Sequence, residues 1–162
     1  MNGDALRQVV DRLEIIENLG RYHQAVDAKD WDGLSALLTE DVVAEYHSLN
    51  DAVLFGLEGV YEGRGVVVDW IRAGQEPFQF NGAPTHFMSN HVVDLAGDEA
   101  SSRSYFNDVD LPTGLMIGTG IYTCAHVRTA EGWKICNMRL EQRLCDSVVE
   151  SIAAQRAPRE ET

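Results

Sequence analysis

The stretch RYHQAVDAKDWDGL, residues 21 to 34, holds an aspartate, Asp27, where the preceding helical pattern calls for something apolar. At about 100° per residue, the steps from Ile16 bring Asp27 to roughly 20° from it, in line with Val9, Leu13 and Gly20. On a continuous helix this carboxylate points into the core; on a helix that bends near Gly20 it ends up solvated. In the first case burial and the negative end of the helix dipole both push its pKa upward, leaving a group suited to take or hold a proton. A buried acid needs an ionisable partner. In PTHFMSNHVVDL, His86 opens a strand and shares its face with Met88, Asn90 and Val92, whereas His91 lies on the opposite face. In EASSRSYFNDVD, Phe106, Asp108 and Asp110 share one face and Arg103, Tyr105 and Asn107 the other, and neither strand alone says which face is inside. A metal site is disfavoured, because His86 and His91 point apart and His23 with Asp27 is only a two-ligand fragment.

The elements that must hold these groups follow from patterning. With 162 residues, 44% hydrophobic and 4 prolines, the chain suffices for one domain with a sizeable core, expected over 1–150, and the polar stretch 151–162 reads as a tail. Leu6, Val9, Leu13, Ile16 and Leu19 recur at helical spacing, and Asp30 or Asp32 can cap a short second helix. DVVAEYHSL and VLFGLEGVYEG alternate as strands, and GRGVVVDWIRAG reads as a third helix bounded by glycines. After Thr85 come long β-prone runs, His86 to Leu95, Ala100 to Asp110, Met116 to Arg128 and Trp133 to Leu144, separated by AGDE, LPTG and TAEGW. Helices first and a meander after make an α+β fold, with the helices on one face of a curved sheet.

Charge and cysteine usage narrow the partners. Thirteen Lys plus Arg against 26 Asp plus Glu give a net charge of -13, with no basic cluster, so nucleic acid and anionic membrane are poor partners. The opening residues lack the basic and apolar regions of a signal peptide, and no run approaches membrane-spanning length. Cys124, Cys136 and Cys145 show no metal-type spacing and cannot all pair, which suits a reducing compartment and a cytoplasmic location.

The order of RYHQAVDAKDWDGLSALLTEDV, EGRGVVVDWI, PTHFMSNHVV, GDEASSRSYF and GWKI resembles the SnoaL-like branch of the nuclear transport factor two superfamily, over roughly residues 5 to 145. The resemblance implies a cone-shaped α+β barrel with a pocket between the sheet and the long first helix. That branch includes scytalone dehydratase, bile acid 7α-dehydratase and hexachlorocyclohexane dehydrochlorinase, lyases that share an Asp on the first helix and a His on the sheet. Asp27 and His86 fall on those two positions. Tyr22 and Asp108 resemble the tyrosine and the sheet aspartate of the bile acid enzyme, and Tyr46 resembles a pocket tyrosine of scytalone dehydratase. There are departures. The second pocket histidine of scytalone dehydratase falls here near Asp108 or Asp110, and the C-terminal arginine of the bile acid enzyme is matched by Arg143 or Arg139. The ketosteroid isomerases of the superfamily place their base where this chain has Tyr46, which argues against their mechanism.

Proton transfer without a cofactor is the chemistry this resemblance implies. His86 is the expected general base on a carbon-bound proton made acidic by a neighbouring carbonyl, with Asp27 fixing its tautomer and stabilising the imidazolium. Tyr22 or Tyr46 is expected to donate to the enolate oxygen, and Asp108, protonated in an apolar pocket, to help expel a hydroxyl as water. The outcome is a dehydratase-type β-elimination. Phe78, Phe80, Phe87, Met88, Leu115 and Met116 suggest a bulky apolar hydroxylated ring as substrate, such as a steroid, a polycycle or an aromatic polyketide, although such residues are more often simply core. Two other classes share the fold: a polyketide cyclase or isomerase that works through Asp27 with His86 accessory, and the non-catalytic small subunit of a ring-hydroxylating dioxygenase. The pairing of Asp27 with His86 favours an enzyme, because a buried charged pair seldom adds stability over apolar packing. A homo-oligomer is expected, a trimer by resemblance to the lyases or a dimer by the usual preference of soluble proteins.

Overall fold

A long helix laid on a curved sheet dominates the computed structural model, which describes residues 3–49, 58–75, 84–111 and 114–146. Helix α1 (Gly3–Ala28) packs on the sheet, and Lys29, in the left-handed region at φ 57°, turns the chain out of it. Helix α2 (Trp31–Ala36) follows; Asp30 is its cap, its carboxylate accepting from the Gly33 backbone N–H at 2.9 Å. The remaining elements are β1 (Leu38–Ser48), β2 (Gly59–Glu62), α3 (Arg64–Gln75), β3 (Pro84–Ala96), β4 (Glu99–Asp110), β5 (Leu115–Thr129) and β6 (Gly132–Leu144). The strands form one six-stranded sheet in the order β2-β1-β6-β5-β4-β3, with β1 and β6 parallel and every other pair antiparallel. The expected α+β cone is therefore present as a mixed sheet that is not closed, with β2 and β3 as its two edges. Among the described residues no helix is long and apolar enough to cross a membrane.

Strand alternation answers the question of which face is inside. On β4 the buried residues are Ala100, Ser102, Ser104, Phe106 and Asp108, so Asp108 points into the core and Arg103 and Tyr105 point out. Ala100 and Phe106 share one core with Ile15, Leu19 and Val26 of α1, Val67 of α3, and Trp133, Ile135, Met138 and Leu140 of β6.

Helix α1 buries a different face from the one its apolar spacing suggests. Leu6, Val9 and Leu13 are exposed, whereas Asp11, Ile15, Asn18, Leu19, Tyr22, His23 and Val26 are buried. Two polar members of that face, Asp11 and Asn18, are accepted because each has a dedicated partner on the sheet. Asp11 pairs with Arg128 Nη2 at 2.5 Å and accepts from Trp133 Nε1 at 3.3 Å, and Asn18 donates to the Trp133 carbonyl at 2.8 Å. The Arg128 guanidinium also lies 4.4 Å over the Trp133 ring, and its hydrogen bond holds the Asp11 carboxyl below the usual carboxylate range. Buried polar groups lose little when paired in this way, so apolar spacing alone did not decide the inner face.

Two glycines test the packing with opposite signs. A Cβ on Gly120 of β5 would stand 2.3 Å from both the Glu141 carbonyl oxygen and the Phe106 ring, whereas one on Gly20 in α1 would meet nothing within 4 Å. Gly120→Ala is therefore expected to destabilise by roughly 1–3 kcal/mol through overpacking. Gly20→Ala should stabilise by about 0.5–1 kcal/mol through helix propensity. Urea unfolding of both variants checks the pair, and a destabilised Gly20→Ala would contradict the open surroundings assigned to that position.

Candidate functional site

Three elements bring one line of ionisable groups together. The last turn of α1 presents Asp27, the start of β3 presents His86, and the antiparallel register sets Asp108 of β4 directly across from His86. Asp27 grips His86 twice: Oδ1 accepts from ring Nδ1 at 2.5 Å and Oδ2 accepts from the backbone N–H at 3.1 Å. Because Asp27 accepts at Nδ1, the neutral ring carries its proton there and keeps its lone pair at Nε2. That nitrogen lies 3.2 Å from Asp108 Oδ1, within reach of an ion pair, and among the described residues Oδ1 has no hydrogen-bond donor. The other Asp108 oxygen accepts from Gln142 Nε2 at 2.6 Å, and Gln142 Oε1 accepts from the Tyr46 hydroxyl at 2.7 Å.

The surroundings set the protonation of each group. Burial pulls the His86 pKa down, but the hydrogen bond it donates to Asp27 and the charges of Asp108 and Asp27 outweigh it and leave it raised. Asp108 is pushed up to about 6, chiefly by burial and further by the charge of Asp27, while His86 and Gln142 oppose the rise. His23 stands in ring contact with His86, at 5.0 Å between centroids, and with Tyr122 at 5.2 Å. Burial, then the charges of His86 and His91, hold it far below the ordinary histidine range, so it is neutral, and neither ring nitrogen has a hydrogen-bond partner among the described residues. Burial likewise raises the Tyr22 and Tyr122 hydroxyls, which stay protonated.

These groups line a pocket of about 640 Å³ of atom-free space, part of it open solvent at the mouth. Val26, Ile71, Phe106, Ile117 and Leu140 supply its apolar wall; Tyr22, His23, Tyr46, His86, Asp108, Tyr122 and Gln142 supply the polar groups. Asp27 stands behind His86, its side chain 22% exposed. Among the described residues no three His, Cys, Asp or Glu side chains converge in a way that could hold a metal ion.

Of the residues singled out in the sequence, the structure gathers Tyr22, Asp27, Tyr46, His86 and Asp108 and leaves four elsewhere. Phe87 follows His86 on the strand, points outward and is half exposed; Met116, at the exposed start of β5, lies away from the pocket wall, as does Leu115. Arg143 and Arg139 share the outer face of β6, where Arg143 lies 3.5 Å from Asp146 and Arg139 lies 3.1 Å from Glu141. Strand parity and strand end therefore place Phe87, Met116 and Arg143 outside the site expected of them: the inward residues of β6 are Met138, Leu140, Gln142 and Leu144. Met88 does point inward, but it packs against the core outside the pocket lining. Phe78 and Phe80 lie outside the described residues. Gln142, Tyr122 and the pocket role of His23 were not read from the sequence. Gln142 was legible by the argument applied to Asp27, since it is the one polar residue in the inward series Met138, Leu140, Gln142, Leu144.

The chain belongs to the SnoaL-like domain family, whose model matches residues 7–139. An uncharacterized protein of Mycobacterium tuberculosis (strain ATCC 25618 / H37Rv) is 30% identical over 136 residues, covering 81% of this chain and 84% of that one. The fold is shared with an NTF2-like protein with a cystatin-like fold from Novosphingobium aromaticivorans, at a TM-score of 0.69 and 24% identity over 92% of both chains. It is shared too with a proposed dehydratase of the NTF2-like family from Streptomyces avermitilis, at a TM-score of 0.62 and 17% identity, covering 82% of this chain and 95% of that one.

The raised pKa of Asp108 has a signed consequence for stability. Between its ordinary value of 3.8 and its folded value of about 6 the folded chain binds more protons than the unfolded one, so stability falls as pH rises through that window. His86 adds in the same direction: its folded pKa is raised above 6.5, so its contribution is present below that value and lost as pH climbs through the folded one. Asp108→Asn removes the first loss and reduces the second. The stability difference, variant minus wild type, is expected to grow by roughly 1–3 kcal/mol from pH 4 to pH 8. Denaturant titrations at the two pH values measure it, and an unchanged difference would mean that Asp108 is not a buried acid.

Proposed function

We propose that this chain is a cofactor-independent lyase that removes water from a bulky apolar ring bearing a hydroxyl β to a carbonyl. The observation that carries the reading is the line Asp27, His86, Asp108, with one imidazole nitrogen held by Asp27 and the other turned to the acid that faces the pocket. His86 Nε2 takes the proton from the carbon next to the carbonyl, and the C–H electrons pass into the enolate. The enolate then re-forms the carbonyl, the new C=C bond appears, and the C–O bond breaks as Asp108 Oδ1 gives its proton to the leaving hydroxyl, which departs as water. The active form of the pair carries its one proton on Asp108; the elimination leaves that proton on His86, the imidazolium–carboxylate form favoured by the higher pKa of His86, and one transfer from Nε2 to Oδ1 renews the active form. Tyr22 or Tyr122, both protonated and both lining the pocket, can donate to the enolate oxygen. The apolar wall and the few convergent polar groups of the pocket suit an apolar ring compound, and the shared fold of the proposed dehydratase from Streptomyces avermitilis supports the reading.

The accepting and donating atoms are 3.2 Å apart, so both must reach the substrate from one side. The proton and hydroxyl lost should lie on the same face of the ring. A panel of cyclic β-hydroxyketones, hydroxysteroids among them, assayed by absorbance of the new conjugated double bond, tests this directly. The expected result is turnover of the cis-disposed substrates, lowered about 100-fold to 10,000-fold in His86→Ala and strongly in Asp27→Asn. Exchange of the α-proton with solvent deuterium but no alkene would point instead to an isomerase or cyclase. Binding with neither exchange nor alkene would remove the enzyme reading.

A further inference from the structure

Gln142 joins the acid of the site to a tyrosine, and its amide can be oriented only one way around a carboxylate. A primary amide donates through nitrogen and accepts through oxygen, and a carboxylate donates nothing. The atom 2.6 Å from Asp108 Oδ2 is therefore the NH2 group, and the carbonyl is left to the Tyr46 hydroxyl at 2.7 Å. The Tyr46 proton is thereby spent on Gln142. Packing holds both ends: the amide nitrogen lies where a side chain on Gly118 would stand only 3.0 Å away, and the Tyr46 ring sits edge-on to Trp70 with centroids 6.1 Å apart. Gln142 is 8% exposed, so water does not substitute freely for either partner.

We infer that Gln142 is a positioning residue that confines the Asp108 proton to Oδ1, the oxygen beside His86 Nε2, and that Tyr46 acts through Gln142 and not by contact with substrate. Oδ2 already accepts the Gln142 N–H, a role that the carbonyl oxygen of a protonated carboxyl fills better than its hydroxyl oxygen; Oδ1 has no donor among the described residues and is 3.2 Å from Nε2. Among the described residues, Asp108 is faced by His86 from β3, Asp27 from α1, Tyr46 from β1, Tyr122 from β5 and Gln142 from β6. Of these, Gln142 alone donates a hydrogen bond to the carboxylate, so its removal should leave the proton more tightly held and free to sit on either oxygen. The use of that proton in catalysis rests on the lyase reading; its placement does not.

The test is a titration that needs no substrate. Carboxyl-labelled aspartate in the whole chain is followed by carbon NMR, with the Asp108 resonance assigned by its loss in Asp108→Asn. The wild-type midpoint is expected at about 6. Gln142→Met should raise it by roughly one to two units, the worth of a hydrogen bond to a charged group. Gln142→Asn, which keeps the amide but falls short of Asp108, should raise it as well and serves if the Met variant does not fold. Tyr46→Phe should give a smaller rise that vanishes when combined with Gln142→Met, because its path to Asp108 has already been cut. An unmoved midpoint in both Gln142 variants, or a Tyr46→Phe shift that adds in full to that of Gln142→Met, would overturn the inference. Either result stands whether or not any lyase substrate is found.

Discussion

The double grip of Asp27 on His86 is the contact on which the site's geometry depends. One carboxylate oxygen holds the imidazole and the other holds the backbone N–H of the same residue. The ring is thus fixed relative to the strand that carries it, and the end of α1 is fixed relative to the edge of the sheet. With β3 and β4 in register, that one contact also decides how far Nε2 stands from Asp108. A carboxylate free to rotate would set only the tautomer; this one sets both tautomer and position.

The helix carries two such clamps of different kinds. Near its start Asp11 meets Arg128, which is charged at any accessible pH, braced on Trp133 and tied also to Asp98 at 2.9 Å. Near its end Asp27 meets a histidine, whose charge can be given up. The first clamp supplies constant attachment. The second occupies the pocket and tolerates a change of protonation, because a second carboxylate stands on the other side of the ring. Burial of an unpaired charge would cost several kcal/mol. Two acids around one base keep at least one pairing in every state that the site visits.

Most of the fold was legible because the strands alternate clearly and the helix boundaries are marked by capping and turn residues. The strands after Thr85 and the third helix fall within a few residues of their expected limits. Asp27 was legible too, but partly for the wrong reason. The stripe that aligned it with Val9 and Leu13 is the exposed one, and Asp27 reaches inward from its flank only at the end of the helix, where β3 comes close. Periodicity shows that a helix has an apolar stripe; it does not show that a polar stripe has partners waiting across the sheet. Residue type and resemblance point Phe87, Met116 and Arg143 to the pocket, but strand parity and strand position turn them away from it. His86 points in, so Phe87 must point out, and Gln142 points in, so Arg143 must point out.

His23 shows how one charge limits the next. Its ring touches those of His86 and Tyr122 and lies within the pocket wall, yet both nitrogens lack hydrogen-bond partners among the described residues. An unpartnered buried imidazole costs stability, roughly 1–3 kcal/mol for each unsatisfied group, and apolar residues of similar size would avoid that cost. What the ring contributes is a polarizable wall that cannot become a second cation: burial disfavours its charged form, and the positive charge of His86 alongside disfavours it further. Positive charge in the pocket is thereby confined to His86, the ring flanked by two carboxylates. A phenylalanine would confine it equally well by charge, so the presence of an imidazole there marks a wall that still has a donor and an acceptor to offer.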